Sequence, residues 1–474
     1  MTAEKNTEIK FGTSGWRAIM AEEFTFDNVR LVSKAIAGYL KSENRAPKAI
    51  VGYDTRFLSA EFAGICAEVL SLHGIKVLLC SRDVPTPVLA YQVIDKKLDG
   101  AVNFTASHNP PEYNGIKFSP AYGGPAPKEV TSDIERKIAE LQRGKKPLWD
   151  KKSKPSVVEK FDPRPDYLKR LKRIIDFKCI KQAKLKIGVD CMYGTSRGYL
   201  DVLLKDYVRE LKVFNDHLNP LFGGFPPEPD KMYIQDLIRH VRAENFNLGL
   251  ACDGDADRFG IVDRNGVFLT PNEVFTLAFY YLIKTRKKAK KVARTFATTH
   301  MIDAIAAKEG IELVETPVGF KYIGEQLDEG DCMIGGEESG GLSIQGHVPE
   351  KDGILACLLI AEMVACEKKS LGEMLNMLYE KYGYFYSDRI NLHIKANKKE
   401  ALLKKVEALK KKDGFAGRKI KRTDFRDGYK FIFSDNNWMM FRPSGTEPVI
   451  RSYFEAGSRK DLARLKQQII DFIG

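Results

Sequence analysis

The chain has 474 residues, more than a single hydrophobic core organises, and its length indicates three or four domains. Hydrophobic residues make up 43% and charged residues 29%, as in ordinary globular proteins, and no apolar run is long enough to cross a membrane. The net charge of +13 fits an anionic small substrate better than nucleic acid, because acidic residues interrupt the basic runs and no aromatic residues interleave with them.

The cysteines and the N-terminal segment indicate the cellular compartment of the protein. The eight cysteines form no C-x-x-C pair and most follow apolar residues, which predicts buried free thiols in a reducing compartment. The segment MTAEKNTEIKF is charged and polar and carries no signal-peptide core. We therefore predict a cytoplasmic protein without membrane or nucleic-acid partners.

Short apolar segments alternate with amphipathic ones over the first three-quarters of the chain. Strands are predicted at 48–56, 75–83, 183–194, 246–258 and 290–299, and helices at 27–42 and 60–74. This alternation indicates α/β domains with mixed or mostly parallel sheets, in which ligands bind where loops leave the carboxyl ends of strands. The last segment has three strand-like stretches and a closing amphipathic helix, which predicts a small α+β domain.

The first stretch with chemical content is TASHNPPEYNGIK, residues 105–117. It is not the G-x-S-x-G elbow of a hydrolase, and Asn109-Pro110-Pro111 forces an extended turn where an elbow needs a helix. A serine on a rigid loop, with Lys117 returning nearby, suits a phosphoryl group better than an acyl group. Taken alone, an ordinary turn explains the stretch equally well.

The second stretch is CDGDADRFG, residues 252–260. Asp253, Asp255 and Asp257 alternate, so their carboxylates can converge on one side of an extended or looping backbone. Carboxylate oxygens suit Mg²⁺ or Ca²⁺, but the glycine and glutamate that a calcium-binding EF-hand requires are replaced by Arg258 and Arg264. Three carboxylates leave places for a phosphate oxygen and water, which favours Mg²⁺ at a phosphoryl centre.

Two glycine-containing loops follow, GGEESGG (335–341) and RPSGTEP (442–448). The first combines close backbone approach with carboxylate and hydroxyl groups, which suits sugar hydroxyls. The second supplies arginine, hydroxyl and amide donors for a phosphate, and no Walker P-loop occurs in the chain. With the serine loop and the carboxylates, they indicate phosphoryl chemistry on a phosphorylated polyol.

In this order, TASHNP, DGDADR, GEESGG and RPSGTEP resemble the α-D-phosphohexomutase superfamily, and FGTSGWR (11–17) matches a fifth element of that family. The resemblance implies a four-domain, heart-shaped α/β protein in which three related α/β domains and a C-terminal α+β domain surround a central cleft. The implied domains are 1–160 with the phosphoserine loop, 161–265 with the metal loop, 266–384 with the sugar loop and 385–474 with the phosphate loop.

The resemblance also implies site residues. The catalytic residues would be Ser107, Lys117, His108, Arg17 and Arg258, with Lys117 a candidate general acid or base. One Mg²⁺ per chain would be held by Ser107, Asp253, Asp255 and Asp257. The sugar would be bound by Glu337, Ser339, Gly319, Lys321 and Arg294. The substrate's own phosphate would be bound by Arg442, Ser444, Gly445, Thr446 and Arg451.

The implied reaction interconverts hexose 1-phosphate and hexose 6-phosphate. Phosphorylated Ser107 would give its phosphoryl group to the substrate, and the hexose 1,6-bisphosphate would reorient and return its other phosphate. Glucose 1,6-bisphosphate would serve as activator and intermediate, in a monomer or a homodimer.

Two stretches favour glucose phosphate as the substrate. VGFKYIGEQL (318–327) resembles the TGWKFFG form of phosphoglucomutases and VARTFATTHMID (292–303) resembles their ARSMPTS stretch, whereas the compact PPEYNG insert also occurs in enzymes acting on mannose. A phosphomannomutase or dual enzyme is the alternative, followed by a phosphoglucosamine or phosphopentose mutase. Other classes are a Mg²⁺-dependent sugar phosphatase, a silent phosphoserine scaffold and a nucleic-acid binder.

Overall fold

The protein is represented by a computed structural model, which describes residues 9–12, 15–144, 154–286, 290–393, 396–443 and 449–473. Within these ranges the strands form four separate sheets. No helix of this part of the chain is long and apolar enough to cross a membrane.

The first sheet is mixed and has the strand order β1-β5-β4-β2-β3-β6. Its strands are β1 (Trp16–Ile19), β2 (Lys48–Tyr53), β3 (Lys76–Cys80), β4 (Gly100–Phe104), β5 (Tyr113–Pro120) and β6 (Val158–Phe161). Its helices are α1 (Phe26–Glu43), α2 (Ser59–Leu72), α3 (Thr86–Asp95) and α4 (Lys128–Gln142). β2 pairs in parallel with β3 and β4, whereas β5 runs antiparallel to β4.

The second sheet has the order β11-β10-β9-β7-β8. Its strands are β7 (Lys186–Asp190), β8 (Glu210–Phe214), β9 (Leu248–Cys252), β10 (Phe259–Asp263) and β11 (Val267–Leu269). The helices of this part are α5 (Arg164–Ile174), α6 (Phe177–Ala183), α7 (Leu200–Lys205) and α8 (Gln235–Ala243).

The third sheet has the order β13-β12-β14-β15. Its strands are β12 (Lys291–Thr295), β13 (Glu312–Thr316), β14 (Cys332–Gly336) and β15 (Leu342–Ile344). The helices are α9 (Pro271–Thr285), α10 (Met301–Glu309), α11 (Phe320–Asp328), α12 (Gly353–Glu367) and α13 (Leu371–Tyr382).

One strand order recurs in these three sheets. The successions β3-β2-β4-β5, β8-β7-β9-β10 and β13-β12-β14-β15 each place three parallel strands beside one antiparallel strand. In each case the turn into the antiparallel strand carries one of the sequence motifs: the serine loop, the metal loop and the sugar loop. The prediction of three related α/β domains is confirmed.

The fourth sheet is antiparallel throughout, with the order β16-β21-β20-β19-β18-β17. Its strands are β16 (Tyr386–His393), β17 (Gly414–Phe415), β18 (Arg418–Asp424), β19 (Tyr429–Phe433), β20 (Trp438–Pro443) and β21 (Val449–Ala456). Two helices, α14 (Ala396–Ala408) and α15 (Arg459–Ile473), complete the predicted α+β domain.

Helix α12 lies at the centre of the largest hydrophobic core. Its residues from Gly353 to Ala365 are all buried, as expected of a helix that is apolar on nearly every side, and the one charged side chain among them, Glu362, accepts from Tyr281 and from the Asp176 amide. Its first residue approaches the metal loop, since the Gly353 amide donates to the carbonyl oxygen of Ala256. The start of this core helix is therefore hydrogen-bonded to the metal loop.

The cysteines depart from the prediction at one pair. Cys179 of α6 and Cys366 of α12 are joined as a disulfide, so the prediction of free thiols is wrong for these two residues. Both lie nearer the surface than the others, and the remaining six are buried and free, as predicted. Apolar neighbours in the sequence do not reveal that two distant helices bring a pair of thiols together.

Candidate active site

Ser107 lies on the tight turn between β4 and β5, where it takes a positive φ of 53°. Its amide donates to Thr105 Oγ1 at 2.9 Å, which helps to hold a conformation that residues other than glycine rarely adopt. Its hydroxyl donates to Asp253 Oδ2 at 2.7 Å. The serine and the metal loop are thus in direct contact across the interface between the first two sheets.

Arg56 is hydrogen-bonded to the backbone of this turn and is only 3% exposed. It follows the carboxyl end of β2, and Asp54 accepts from its Nε at 3.1 Å. Its two terminal nitrogens donate, at 2.6–3.0 Å, to the backbone carbonyl oxygens of Ser107, Asn109, Pro110 and Tyr113. A buried guanidinium with this many acceptors fixes the loop, and the sequence prediction missed it.

The metal loop is the turn between the antiparallel strands β9 and β10. Asp253, Asp255 and Asp257 are all buried, and their nearest carboxylate oxygens lie within 4.8 Å of one another. The predicted convergence of the three side chains is therefore confirmed. Burial, and then the charges of Asp257 and Asp255, raise the pKa of Asp253 well above its usual range.

The chemistry of these groups fits a hard divalent cation. Asp255 Oδ1 and Asp257 Oδ1 are buried and accept no hydrogen bond from the described part of the chain, which leaves two carboxylate oxygens there unsatisfied. Asp253 and the Ser107 hydroxyl stand beside them. An oxygen-only donor set of this kind suits Mg²⁺, which keeps places for water and a phosphate oxygen.

Two lysines face the same carboxylates. Lys117 donates to Asp255 Oδ2 at 2.6 Å and to Asp257 Oδ2 at 2.7 Å, while Lys351 Nζ lies 3.1 Å from Asp257 Oδ2. Burial alone would lower the pKa of Lys117, but Asp255 and Asp257 outweigh it and raise that pKa. Lys351, which precedes α12, is a cation of the site that the sequence prediction missed.

The remaining predicted catalytic residues surround the serine. Arg17 on β1 donates to Asn109 Oδ1 at 2.7 Å, and His108 Nδ1 lies 3.5 Å from the Ser107 hydroxyl. Burial, followed by the charges of Arg258 and Arg17, lowers the pKa of His108 well below its usual range. The imidazole is therefore neutral at physiological pH, and the positive charge around Ser107 comes from arginines and lysines.

The sugar loop joins β14 to β15. Glu337 is buried, accepts from the Gly319 amide at 3.0 Å, and has its pKa raised to about 7 by burial. Glu338 instead accepts from Thr295, while Ser339 is half-buried and lines a cavity of about 200 Å³ shared with Arg258. The structure brings this loop next to the metal loop, since Phe259 donates from its amide to Gly340.

Two predicted sugar-binding residues of the third domain, Lys321 and Arg294, differ in their burial and in their partners. Lys321 is half-buried in the first turn of α11, with its ammonium 4.9 Å from the centre of the Tyr322 ring. Arg294 is only 1% exposed, and its guanidinium pairs with Asp303 at 2.6 Å and with Glu315 at 2.9 Å. Arg294 is therefore engaged in ion pairs in this structure, and its role in binding the sugar stays a prediction.

The phosphate loop lies between β20 and β21. Ser444, Gly445 and Thr446 fall outside the described residues, so their predicted roles rest on the sequence alone. Arg442 on β20 and Arg451 on β21 are register partners on the two strands. Asp427 accepts from Arg442 Nε at 3.0 Å, and this carboxylate offsets part of the repulsion between the two like charges.

The four domains each match a domain family. Residues 8–145 match phosphoglucomutase/phosphomannomutase alpha/beta/alpha domain I, 165–266 match domain II, 270–382 match domain III, and 390–472 match the C-terminal domain. The chain belongs to the phosphoglucomutase/phosphomannomutase family. The predicted resemblance to the phosphohexomutases and the predicted four-domain fold are confirmed.

Relatives within this family cover nearly the whole chain. The phosphoglucomutase/phosphomannomutase of Thermococcus kodakarensis is 32% identical over 456 residues, covering 95% of each chain. A phosphoglucomutase of Komagataeibacter xylinus is 30% identical and covers 97% of this chain and 89% of that one. A putative phosphomannomutase of Thermus thermophilus is 32% identical, with a TM-score of 0.86 over 98% of this chain and 99% of that one.

Proposed function

We propose that the protein is a phosphohexomutase that interconverts hexose 1-phosphate and hexose 6-phosphate through a phosphoserine. The observation that carries the proposal is the contact between the Ser107 hydroxyl and Asp253 within the buried carboxylate group. A hydrolytic serine would need a base and an oxyanion hole. Here the serine instead stands among carboxylates that fit a cation and among positive side chains, which suits a phosphoryl group.

In this proposal Ser107 carries the phosphoryl group and gives it to the free hydroxyl of a hexose monophosphate. Asp253, Asp255 and Asp257 would hold one Mg²⁺ per chain, which supplies charge neutralisation to the transferring group. Arg17 and Arg258 would stabilise the negative oxygens, and Lys117 is the candidate general acid or base. Arg56 keeps the serine in place without touching the substrate.

Substrate binding is assigned to the third and fourth domains. Glu337, Ser339, Gly319 and Lys321 would bind the sugar, whereas the loop flanked by Arg442 and Arg451 would grip the phosphate that is not being transferred. The hexose 1,6-bisphosphate would then reverse its orientation in the cleft, so that its other phosphate is transferred back to Ser107. Glucose 1,6-bisphosphate would therefore act as an activator, because it phosphorylates the serine.

Glucose phosphate is the proposed sugar, and mannose phosphate the alternative. The form of the 318–327 segment favours glucose, while the names of the relatives include both sugars. A cytoplasmic location, a monomer or homodimer, and domain boundaries after residues 160, 265 and 384 complete the proposal. The first and fourth sheets fit these boundaries, since β6 passes residue 160 by a single residue and β16 begins after residue 384, whereas β11 joins the second sheet from beyond residue 265.

The test is a coupled assay with Mg²⁺ and a trace of glucose 1,6-bisphosphate. It compares glucose 1-phosphate with mannose 1-phosphate in the wild type and in Ser107→Ala, with Ser81→Ala as a matched control outside the site. We expect mutase turnover that Ser107→Ala abolishes, with the faster sugar naming the substrate. Inorganic phosphate released faster than the isomer forms would instead make the protein a sugar phosphatase, and an active Ser107→Ala would contradict the phosphoserine.

A further inference from the structure

The turn between β18 and β19, residues 425–428, crosses from the fourth domain to the third. Two of its residues make that contact: Arg426 pairs with Glu315, and the carboxylate of Asp427 accepts from the Val318 amide at 2.6 Å. Asp427 also accepts from Arg442 Nε, at 3.0 Å. A single carboxylate therefore joins the start of the phosphate loop to the segment that leads into α11.

The segment that Asp427 reaches is held from both sides. The amide of Val318 donates to Asp427, and the next amide, that of Gly319, donates to Glu337 Oε1 at 3.0 Å. Gly319 has a φ of 134°, which other residues rarely adopt, so these two hydrogen bonds hold a backbone conformation that depends on glycine. Glu337 and Arg442, one from each recognition loop, are thus linked through two consecutive amides and one carboxylate.

The hydrogen bond to Asp427 also sets the orientation of the Arg442 guanidinium. A guanidinium is planar, so a hydrogen bond at Nε fixes the plane in which its terminal nitrogens lie. Gly428 makes the approach possible, because a Cβ there would lie 2.7 Å from the Phe441 carbonyl oxygen and 3.3 Å from Arg442 Cα. The 425–428 turn therefore packs directly against Phe441 and Arg442, where the phosphate loop begins.

We propose that Asp427 is a positioning residue that fixes the phosphate-binding arginine, Arg442, relative to the sugar-binding Glu337. This inference rests on the proposed function. A hexose bisphosphate that must bind in two orientations needs a constant spacing between the group that holds its distal phosphate and the group that reads its hydroxyls. Asp427 supplies that spacing with one rigid carboxylate, without touching the substrate.

The variant that tests the proposal is Asp427→Asn. The two donors, Arg442 Nε and the Val318 amide, use different oxygens of Asp427, and in asparagine an NH2 group that cannot accept replaces one of those oxygens, so one of the two bonds is lost at unchanged size. Because the distal phosphate does not react, its contacts act equally on the ground state and the transition state. We expect KM for the hexose 1-phosphate to rise about tenfold or more, the size typical for loss of a charge-assisted hydrogen bond, while kcat changes less than about threefold.

Two controls separate positioning from domain attachment. Arg426→Gln breaks the other contact of the same turn with the third domain but leaves Arg442 and Val318 paired with Asp427. Asp424→Asn changes a carboxylate of the same region that pairs with Arg426. We expect KM within about twofold of the wild type for both, and Asp427→Glu to restore part of the affinity.

The outcomes are distinct. An unchanged KM in Asp427→Asn, or an equal rise in Arg426→Gln, would overturn the proposal while leaving the mutase function intact. A wild type without turnover would contradict the proposed function instead. In that case calorimetric binding of glucose 1-phosphate to the wild type and to Asp427→Asn decides the inference: weaker binding by the variant supports it, and equal affinity overturns it.

Discussion

Charge balance around individual carboxylates decides most of the chemistry of the site. Asp255 and Asp257 each have a lysine partner, whereas Asp253 faces the Ser107 hydroxyl and a backbone amide. Three buried carboxylates in contact repel one another, and two lysines offset that repulsion only in part. The residues therefore favour a bound divalent cation over the bare site.

We predict that Asp253→Asn abolishes the stabilisation by metal. Without metal, removing one of three buried like charges should leave the melting temperature equal to or above that of the wild type. With excess Mg²⁺, only the wild type should gain stability, because a ligand stabilises the state that binds it. Thermal melts in chelator and in Mg²⁺ measure both effects.

The control for this experiment is Asp236→Asn, an exposed carboxylate of α8 remote from the triad. It should respond to Mg²⁺ as the wild type does. An equal gain in Asp253→Asn and the wild type would contradict a metal site at this triad.

Glu337 predicts a pH dependence of the proposed reaction. Its carboxyl pKa is raised to about 7 by burial, so the ionised form that accepts hydrogen bonds from sugar hydroxyls is lost as the pH falls through 7. We expect kcat/KM to decline below pH 7 by up to tenfold per pH unit. The Glu337→Gln variant should be less active and should lack this decline, and a wild-type profile that is flat from pH 6 to 8 would rule the assignment out.

At the scale of elements, the site depends on turns packed against each other. The serine and metal loops touch through backbone as well as side chains: a Cβ at Gly254 would lie 2.7 Å from the Ser107 carbonyl oxygen and 3.0 Å from Pro227. Each loop leaves the last parallel strand of its own sheet. The recurrent strand order therefore brings equivalent turns from different domains to one cleft.

Gly254→Ala tests this packing of turns. The added methyl group has no room, so the metal loop and the serine loop must move apart, and we expect at least a tenfold loss of turnover together with a lower melting temperature. The matched control is Gly64→Ala in α2, where nothing lies within 4 Å of the added Cβ. That change should raise the free energy of unfolding by about 0.5–1 kcal/mol and leave turnover unchanged. Full activity of Gly254→Ala would contradict the close approach.

At the scale of the whole molecule, α12 and its neighbours connect the second and third domains. Cys179 on α6 and Cys366 on α12 are 187 residues apart in the chain, with Cα atoms 5.8 Å apart. The disulfide closes a long loop, and a long closed loop restricts the unfolded chain most. It also attaches α6 to the helix that supports the metal loop.

Reduction of this disulfide should therefore lower stability. We expect the wild type to lose about 2–4 kcal/mol of unfolding free energy when reduced, and Cys179→Ser to show the lower value with or without reductant. Cys366→Ser should match it, and the double variant should add nothing further. Denaturant unfolding with and without a dithiol measures the difference, and a wild type indifferent to the dithiol would show that the two thiols are not joined.

Local sequence was sufficient for the elements and for most of the site. Apolar runs of strand length, the polar loops that follow them and the acceptor-rich motifs are properties of a few adjacent residues, and they predicted β2, β3, β7, β9 and β12 as well as the convergence of Asp253, Asp255 and Asp257. The short signal D-T-R after β2 could have indicated Arg56, since it stands where loops leave a parallel strand. Lys351 could have been noticed in the same way, because it lies in a short charged stretch directly before the apolar helix α12.

Other features were decided only by the tertiary structure, because they depend on which distant surfaces meet. Asp303 and Glu315 form ion pairs with Arg294, and Cys179 gains a partner 187 residues away. Asp427 joins two domains through a turn whose Asp-Gly pair indicates a hairpin but does not reveal which domain it contacts. The sequence by itself determined the elements, the family and the acceptor groups of the site, since these are encoded locally. The tertiary structure decided which of these side chains are occupied by ion pairs and which face the cleft, since burial and pairing arise only when the domains pack.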